Sequence, residues 1–377
     1  MEPRDFSTVT AFPGTDSSRY AIAVHAADWV NRLPAPFFLA LLVPLALLVA
    51  RFDLVTASGL WLIFLSDWAL MWLLPVAGKS YGPAQSPALL LAILRSFPAL
   101  LPFPFNWLAQ IIGSALVIYG FWIEPLRLTL THQKLESPKL GTARPLRVLH
   151  LGDLHLERTT ERERKLVAMV KSLKPDLILF SGDFVIYSSV EDAVSQEHTR
   201  EILRNLSAPL GVYAVTGSPP VDKPHVVARL LKGLDIHWLR DERVTIMHEG
   251  VPIDIVGITC THMPFVDAPR LDRLVKDKPD HFTILVYHTP DLAPEAAKLG
   301  IDLQVSGHTH GGQVRLPFFG ALYTASLYGK HFEAGRYAIG KFTLYVTRGL
   351  GMEGKGAPRV RFLCPPEVVL WEISGEK

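Results

Sequence analysis

The pattern of apolar and polar positions divides the chain near residue 124. Before that point apolar residues run together with no period. Residues 34–50 read as a first membrane span, somewhat short, and 54–77 as a second of full crossing length. Residues 106–123 read as a third. Between them, 88–105 is apolar but interrupted by Arg95, Pro98, Pro102 and Pro104, so it is either a broken fourth span or an element in the interface. Residues 1–33 form a polar tail with Arg4, Arg19 and Arg32. That tail is too long for the charged start of a cleaved signal, so the first apolar run reads as an anchor.

After a linker over 124–146, with Pro125, Pro138, Gly141 and Pro145, the pattern changes. Through 147–377, strand and helix signals alternate. Strands are expected at 147–151, 177–181, 211–216, 244–247, 253–258 and 283–287, and a short buried one at 302–306. Helices are expected at 161–173, 190–206, 224–234, 268–276 and 292–299. From 337 onward the pattern is mostly strands. The early part suggests βαβ crossovers and the late part antiparallel pairs. The expected fold is α/β, two stacked mixed sheets flanked by helices, behind an N-terminal α-helical transmembrane region.

Charge adds orientation. The net charge of +2 conceals an almost uncharged first third. It argues neither for nor against nucleic acid, and no nucleic-acid partner is expected. Positive residues flank the apolar block: three Arg before it, and Arg127, Lys134, Lys139, Arg144 and Arg147 after it. The connectors hold only Arg51 and Lys79. Positive flanks mark the cytoplasmic side, so both ends look cytoplasmic and an even number of crossings follows. Three spans are clear, and parity favours four. Asp67 inside the second span is a functional candidate by position, or a group hydrogen-bonded to a neighbouring helix. A transporter or channel would rest on Asp67 and Arg95 alone. Cys260 and Cys364 are too few and too far apart for a disulfide framework or a thiolate metal site.

The candidate chemistry sits at strand ends. Gly307-His308-Thr309-His310-Gly311-Gly312 places two imidazoles one residue apart in a glycine-rich turn. His150-Leu151-Gly152-Asp153-Leu154-His155 follows the first strand of the soluble region, Ser181-Gly182-Asp183 the second and Thr216-Gly217-Ser218-Pro219 the third. His288 ends the strand at 283–287. In open α/β sheets ligands bind beyond the carboxyl ends of strands, so five ends can converge on one crevice. Alternation puts Asp153 and His155 on one face, and likewise His308 and His310. Oxygen and imidazole donors without thiolate suit one or two divalent ions of Mn, Fe or Zn. Asp183 can bridge two such ions about 3.5–4 Å apart, a clamp for in-line displacement at phosphorus.

In this order the motifs resemble the calcineurin-like metallophosphoesterase superfamily, over about 146–373. The resemblance implies an αββα sandwich. It also implies a first ion on Asp153, His155, Asp183 and His310, and a second on Asp183, His288 and His308. The stretches 344–351 and 361–367 look like the membrane-associated branch that includes bacterial UDP-diacylglucosamine pyrophosphatases. That branch implies helical anchors in a bacterial plasma membrane; with the spans and the charge bias above, the expectation is a multi-pass protein whose phosphoesterase domain is cytoplasmic. It also implies a phosphorylated small-molecule or lipid substrate and contact with the bilayer. The chain departs from the family's Gly-Asn-His: Ser218 is a doubtful ligand, and Pro219 replaces the His that stabilises the transition state or protonates the leaving group. The Asp often found three residues past the Gly-Asp aspartate is Ile186 here. His225 and His262 are candidates for a substitute acid. The alternative to an active enzyme is a non-catalytic, metal- or phosphate-binding descendant.

Overall fold

A computed structural model describes residues 1–11, 21–353 and 358–376. The chain forms two compact units. One comprises residues 19–126 and 353–361, the other residues 1–18, 127–352 and 362–377.

The first unit is helical: α1 Ala21–Asn31, α2 Ala35–Val49, α3 Leu54–Val76, α4 Gln85–Ala99 and α5 Phe105–Ile118. Asp53 caps α3, its carboxylate accepting from the Thr56 amide at 2.8 Å. Two helices, Leu54–Val76 and Phe105–Leu126, are long and apolar enough to cross a membrane. A third qualifies only if His25–Asn31 and Ala35–Val49, bent by 113°, count as one span. Length therefore gives fewer spans than the four favoured from charge. Apolar residues facing outward, such as Val55, Phe97 and Ile111, are what a lipid-facing surface requires.

Asp67 and Arg95 answer each other. Arg95 donates from Nε to Asp67 Oδ2 at 2.5 Å and from Nη2 to Oδ1 at 2.8 Å. It also donates to the Gln110 carbonyl at 2.9 Å and to Ser114 Oγ at 3.0 Å. A bidentate pair with its remaining donors satisfied is an interhelical staple joining α3, α4 and α5. The reading of Asp67 as hydrogen-bonded to a neighbouring helix describes it; a transport role has no further support.

The second unit is built from β1 Thr129–Glu136, β2 Leu146–Leu151, α6 Glu161–Leu173, β3 Leu177–Phe180, α7 Ala193–Leu203, β4 Val212–Ala214, α8 Pro224–Leu231 and β5 His237–Trp238. It continues with β6 Glu242–His248, β7 Val251–Gly257, α9 Pro264–Val275, β8 Phe282–Val286, α10 Ala293–Lys298 and β9 Leu303–Ser306. A small hairpin, β10 Arg315–Leu316 and β11 Gly320–Ala321, precedes β12 Gly335–Ile339, β13 Phe342–Val346 and β14 Glu367–Ser374. One sheet has the order β1-β14-β2-β3-β4-β5 and the other β12-β13-β9-β8-β7-β6. The central strands of each are parallel, with antiparallel pairs at β14–β2, β6–β7 and β12–β13. This is the expected pair of mixed sheets.

Strands apolar on both faces explain the layers. In β2, Leu146 and Val148 point between the sheets, where they meet Ile253, Ile284 and Trp371. Leu149 and Leu151 point the other way, into a core shared with Leu166 of α6 and Val227 of α8. On the outer face of the second sheet, Leu285 and Leu344 join Leu271 of α9 and Ala296 of α10. Helices cover both outer faces.

The expected linker at 124–146 is corrected. Its Thr129–Glu136 segment is the edge strand β1, paired in parallel with β14 from Thr129↔Glu367 to Glu136↔Ser374. The partner lies more than 230 residues downstream, so no local pattern announces the pairing.

Candidate metal centre

Parallel neighbours point their carboxyl ends the same way, so the topology alone gathers the ends of β2, β3 and β4 in one sheet and β7, β8 and β9 in the other. Asp153, His155, Asp183, His288, His308 and His310 are buried there. Their donor atoms form linked triplets, Asp153–His155–His310 and Asp153–Asp183–His288, each with ligand atoms within 4.8 Å of one another.

The route to convergence differs from strand alternation. β2 ends at Leu151 and β9 at Ser306, so Asp153, His155, His308 and His310 lie in the turns beyond. These side chains meet because the residues themselves take left-handed backbone, with φ of 50°, 40°, 70° and 51°; Asp183 follows at 59°. Such conformations are costly outside glycine and cluster at functional sites. Glycine serves a different purpose here. A Cβ on Gly307 would lie 2.4 Å from Asp153 Oδ2, and one on Gly217 would lie 2.1 Å from Asp183 Oδ1. Backbone must approach both carboxylates closely, and only glycine leaves the room.

Backbone groups hold the carboxylates. The His308 amide donates to Asp153 Oδ1 at 2.9 Å. The Ser218 amide donates to Asp183 Oδ1 at 2.7 Å, and its hydroxyl to Oδ2 at 3.2 Å. Asp222, which the sequence reading missed, accepts the amides of Asp183 and Gly217 at 2.7 Å and of Phe184 at 3.0 Å. It thereby locks two of the converging turns together. Its sequence signal is faint, a lone Asp five residues past Gly217.

The donor set fits divalent cations. His288 Nδ1 is 2.8 Å from the Ser181 carbonyl oxygen, which only accepts, so that nitrogen carries the proton. The opposite nitrogen, Nε2, then faces Asp183 Oδ2 at 3.3 Å. Lone pair against carboxylate is repulsive unless positive charge stands between them. His308 Nε2 is likewise committed to the Ala325 carbonyl at 3.2 Å, leaving Nδ1 as its ligand atom. Second nitrogens fixed by backbone carbonyls are what metal-binding imidazoles use to hold their tautomer. With no cation, a proton takes the place: burial opposes it, but Asp183 and Asp153 push His288 up to about 9. Burial pushes Asp153 up to about 6. Burial works the same way on Asp183, yet the charges of His288 and His155 hold it well below the carboxylate range.

Ser218 lies in the cluster, with Oγ also 3.1 Å from His288 Nε2. Pro219 is exposed, and so is His225, whose Nε2 pairs with Glu191 at 3.2 Å rather than with any clustered group. His262 is buried, its ring centroid 4.5 Å from that of His308. It joins His288 and His308 in a further triplet. The loop after β7 is thus a sixth strand end at the site, which the sequence reading did not count.

The calcineurin-like phosphoesterase family profile matches residues 146–312, the span that supplies every clustered carboxylate and imidazole. The chain carries a calcineurin-like phosphoesterase domain. The chain is similar to several curated bacterial proteins. An uncharacterized metallophosphoesterase of Bacillus subtilis, YkuE, is 28% identical over 68% of this chain and 89% of its own. The phosphodiesterase YaeI of Escherichia coli is 29% identical over 68% of this chain and 92% of its own. The UDP-2,3-diacylglucosamine pyrophosphatase LpxG of Chlamydia trachomatis is 27% identical over 68% of this chain and 93% of its own.

Proposed function

We propose that this chain is a membrane-anchored, metal-dependent phosphoesterase that hydrolyses a phosphoester or phosphoanhydride of a lipid-linked or nucleotide-sugar substrate. The observation that carries the reading is the convergence of buried carboxylates and imidazoles from separate strand ends. Likeness to a UDP-2,3-diacylglucosamine pyrophosphatase supports the substrate class. The two apolar helices support an anchor that keeps the site near amphipathic substrate. Arg and Lys on both flanks support a cytoplasmic domain at a bacterial plasma membrane.

Asp153, His155, Asp183 and His310 would hold a first cation, and Asp183, His288 and His308 a second. Bound cations of the Mn, Fe or Zn kind supply Lewis-acid charge and lower the pKa of a water. The chain's own part is to fix the donors. Asp222 pins the turn of Asp183, and Ser181 and Ala325 set the tautomers of His288 and His308. Pro219 has no proton to give a leaving group. Loss of a general acid costs roughly 10²–10⁴ in rate for a group that needs protonation. A nucleotide phosphate leaves at low pKa and needs little help, so the departure favours phosphoanhydrides over alkyl esters.

Pro219 also favours the second reading, a non-catalytic metal- or phosphate-binding protein. The full chain, purified with Mn²⁺, is to be assayed on an activated aryl phosphate and on a UDP-sugar. Turnover should fall at least ~100-fold in Asp183→Asn, since even groups outside the ligand shell cost 10–100-fold. Inert wild type, with activity gained in Ser218→Asn/Pro219→His, would establish the non-catalytic reading instead.

A further inference from the structure

The second cation position lacks its amide ligand, and Ser218 does not replace it. Its hydroxyl proton is spent on Asp183 Oδ2 at 3.2 Å, and a neutral hydroxyl is a weak donor to a metal. A better donor packs against His308. His262 stands between β7 and α9, only 3% exposed, with left-handed φ of 63°. β7 pairs with β8 and β8 with β9. His262, His288 and His308 therefore come from the ends of three successive parallel strands. Their ring centroids are 4.5 Å apart for His262–His308, 4.9 Å for His288–His308 and 5.9 Å for His262–His288.

The loop that presents His262 is anchored. The Thr261 amide and hydroxyl donate to the Asp267 carboxylate at 2.8 and 2.9 Å, and the Tyr287 hydroxyl donates to it at 2.7 Å. Tyr287 is the residue before His288, so one buried carboxylate sets the position of two of the three imidazoles. Three packed imidazoles have little reason to be gathered in a dry site as spacers. One ligand atom from each ring lies within 4.8 Å of the others, close enough for all three to reach one ion.

We propose that His262 takes the place of the missing amide ligand, so that the second cation is held by His262, His288 and His308 together with Asp183. This rests on the metallophosphoesterase reading above and changes what the site selects. Replacing an amide oxygen by a third imidazole makes the second position nitrogen-rich, which favours Zn, Fe or Co over Mn or Mg. The first position, on Asp153, His155, Asp183 and His310, keeps two carboxylates and stays more tolerant of Mn. The two positions then prefer different ions.

The test is ion content by elemental analysis of the full-length protein in detergent, stripped and reloaded with Zn²⁺ or Mn²⁺ alone. Co²⁺ absorption serves as a second readout, and thermal melting checks the fold. Wild type should hold two Zn²⁺ per chain, and His262→Ala and the milder His262→Gln only one. The Zn²⁺ affinity of the lost position should fall at least ~10-fold. His310→Ala should lose the other ion. Ser218→Asn added to His262→Ala should restore a second ion with its preference moved toward Mn²⁺. Two tightly held Zn²⁺ in both His262 variants would overturn the proposal and leave the phosphoesterase reading intact. So would a single wild-type ion lost in His310→Ala but kept in both His262 variants. Wild type that takes up no ion would sink the metal reading and this proposal together.

Discussion

Asp153, His155, Asp183, His262, His308 and His310 all take positive φ, between 40° and 70°. Each such residue costs of order 1–3 kcal/mol, which surrounding packing must offset. A nearby carboxyl shows how the same dry surroundings act on a group outside the cluster. Asp291 accepts from Ser326 Oγ at 2.6 Å and from the Leu327 amide at 3.1 Å. Burial nevertheless pushes it up to about 6 from 3.8. A carboxyl raised on folding contributes stability below its unfolded value, and loses it as pH climbs through about 6. Asp291→Asn keeps an acceptor and removes the charge. It should raise stability by roughly 1–3 kcal/mol near pH 8 and by much less near pH 4.5, read from melting curves at both. An equal gain at both would show that the charge is not what burial penalises. At this scale the ligand residues were legible in the sequence because glycines and strand ends bracket them. The left-handed backbone that turns them inward was not, because it arises from contacts such as the His308 amide on Asp153, 155 residues apart. His262 was legible as a candidate acid and not as a possible ligand, since its neighbours His288 and His308 come from the ends of β8 and β9.

Elements differ in how much of their environment they carry locally. The helix expected at 161–173 is observed as Glu161–Leu173, because its start is written in adjacent residues. Thr160 accepts from the Arg162 amide, and Glu163 reaches back to the Thr160 amide at 2.8 Å. Strand β1 looks like linker in the sequence because its half-exposed TLTHQKLE segment finds its partner only in β14. Among the apolar helices the sequence showed Asp67 and Arg95 separately, and the structure joins them. Removing one partner leaves a buried charge unpaired, at about 3–5 kcal/mol, whereas apolar replacement of both is often near neutral. Arg95→Leu and Asp67→Leu should each lower the melting temperature in detergent sharply, and Asp67→Leu/Arg95→Leu much less. A double variant as unstable as the sum of the singles would mean that the pair does not act as a unit.

At the scale of the whole chain, the packing of the first residues sets a parity that any set of membrane crossings would have to obey. Phe6 is buried with Tyr328 and Phe332, its ring 5.3 Å from Tyr328, and the Arg4 amide donates to the Tyr328 hydroxyl at 3.2 Å. The N-terminal residues thus belong to the phosphoesterase unit, while every apolar helix lies between them and Arg127. Two stretches packed together occupy the same side of a bilayer, so the helices between them must cross an even number of times. If the apolar helices span a bilayer, three crossings would not satisfy this packing. Two, by α3 and by the helix from Phe105, agree with length; four would require α2 and α4 to cross as well. The alternatives predict opposite exposure of the connectors. With two crossings and a cytoplasmic domain, Lys79 faces outward and Arg51 inward; with four, the reverse. Single cysteines in a background without Cys260 and Cys364, placed by Asp5→Cys, Arg51→Cys, Lys79→Cys and Lys232→Cys, can be probed in spheroplasts with a membrane-impermeant maleimide. Asp5→Cys and Lys232→Cys should both stay unlabelled until the membrane is opened, and Lys79→Cys should label from outside. Labelling of one of the first two without the other would break the parity argument. Labelling of both would preserve parity and place the phosphoesterase domain outside, against the direction in which the flanking Arg and Lys point.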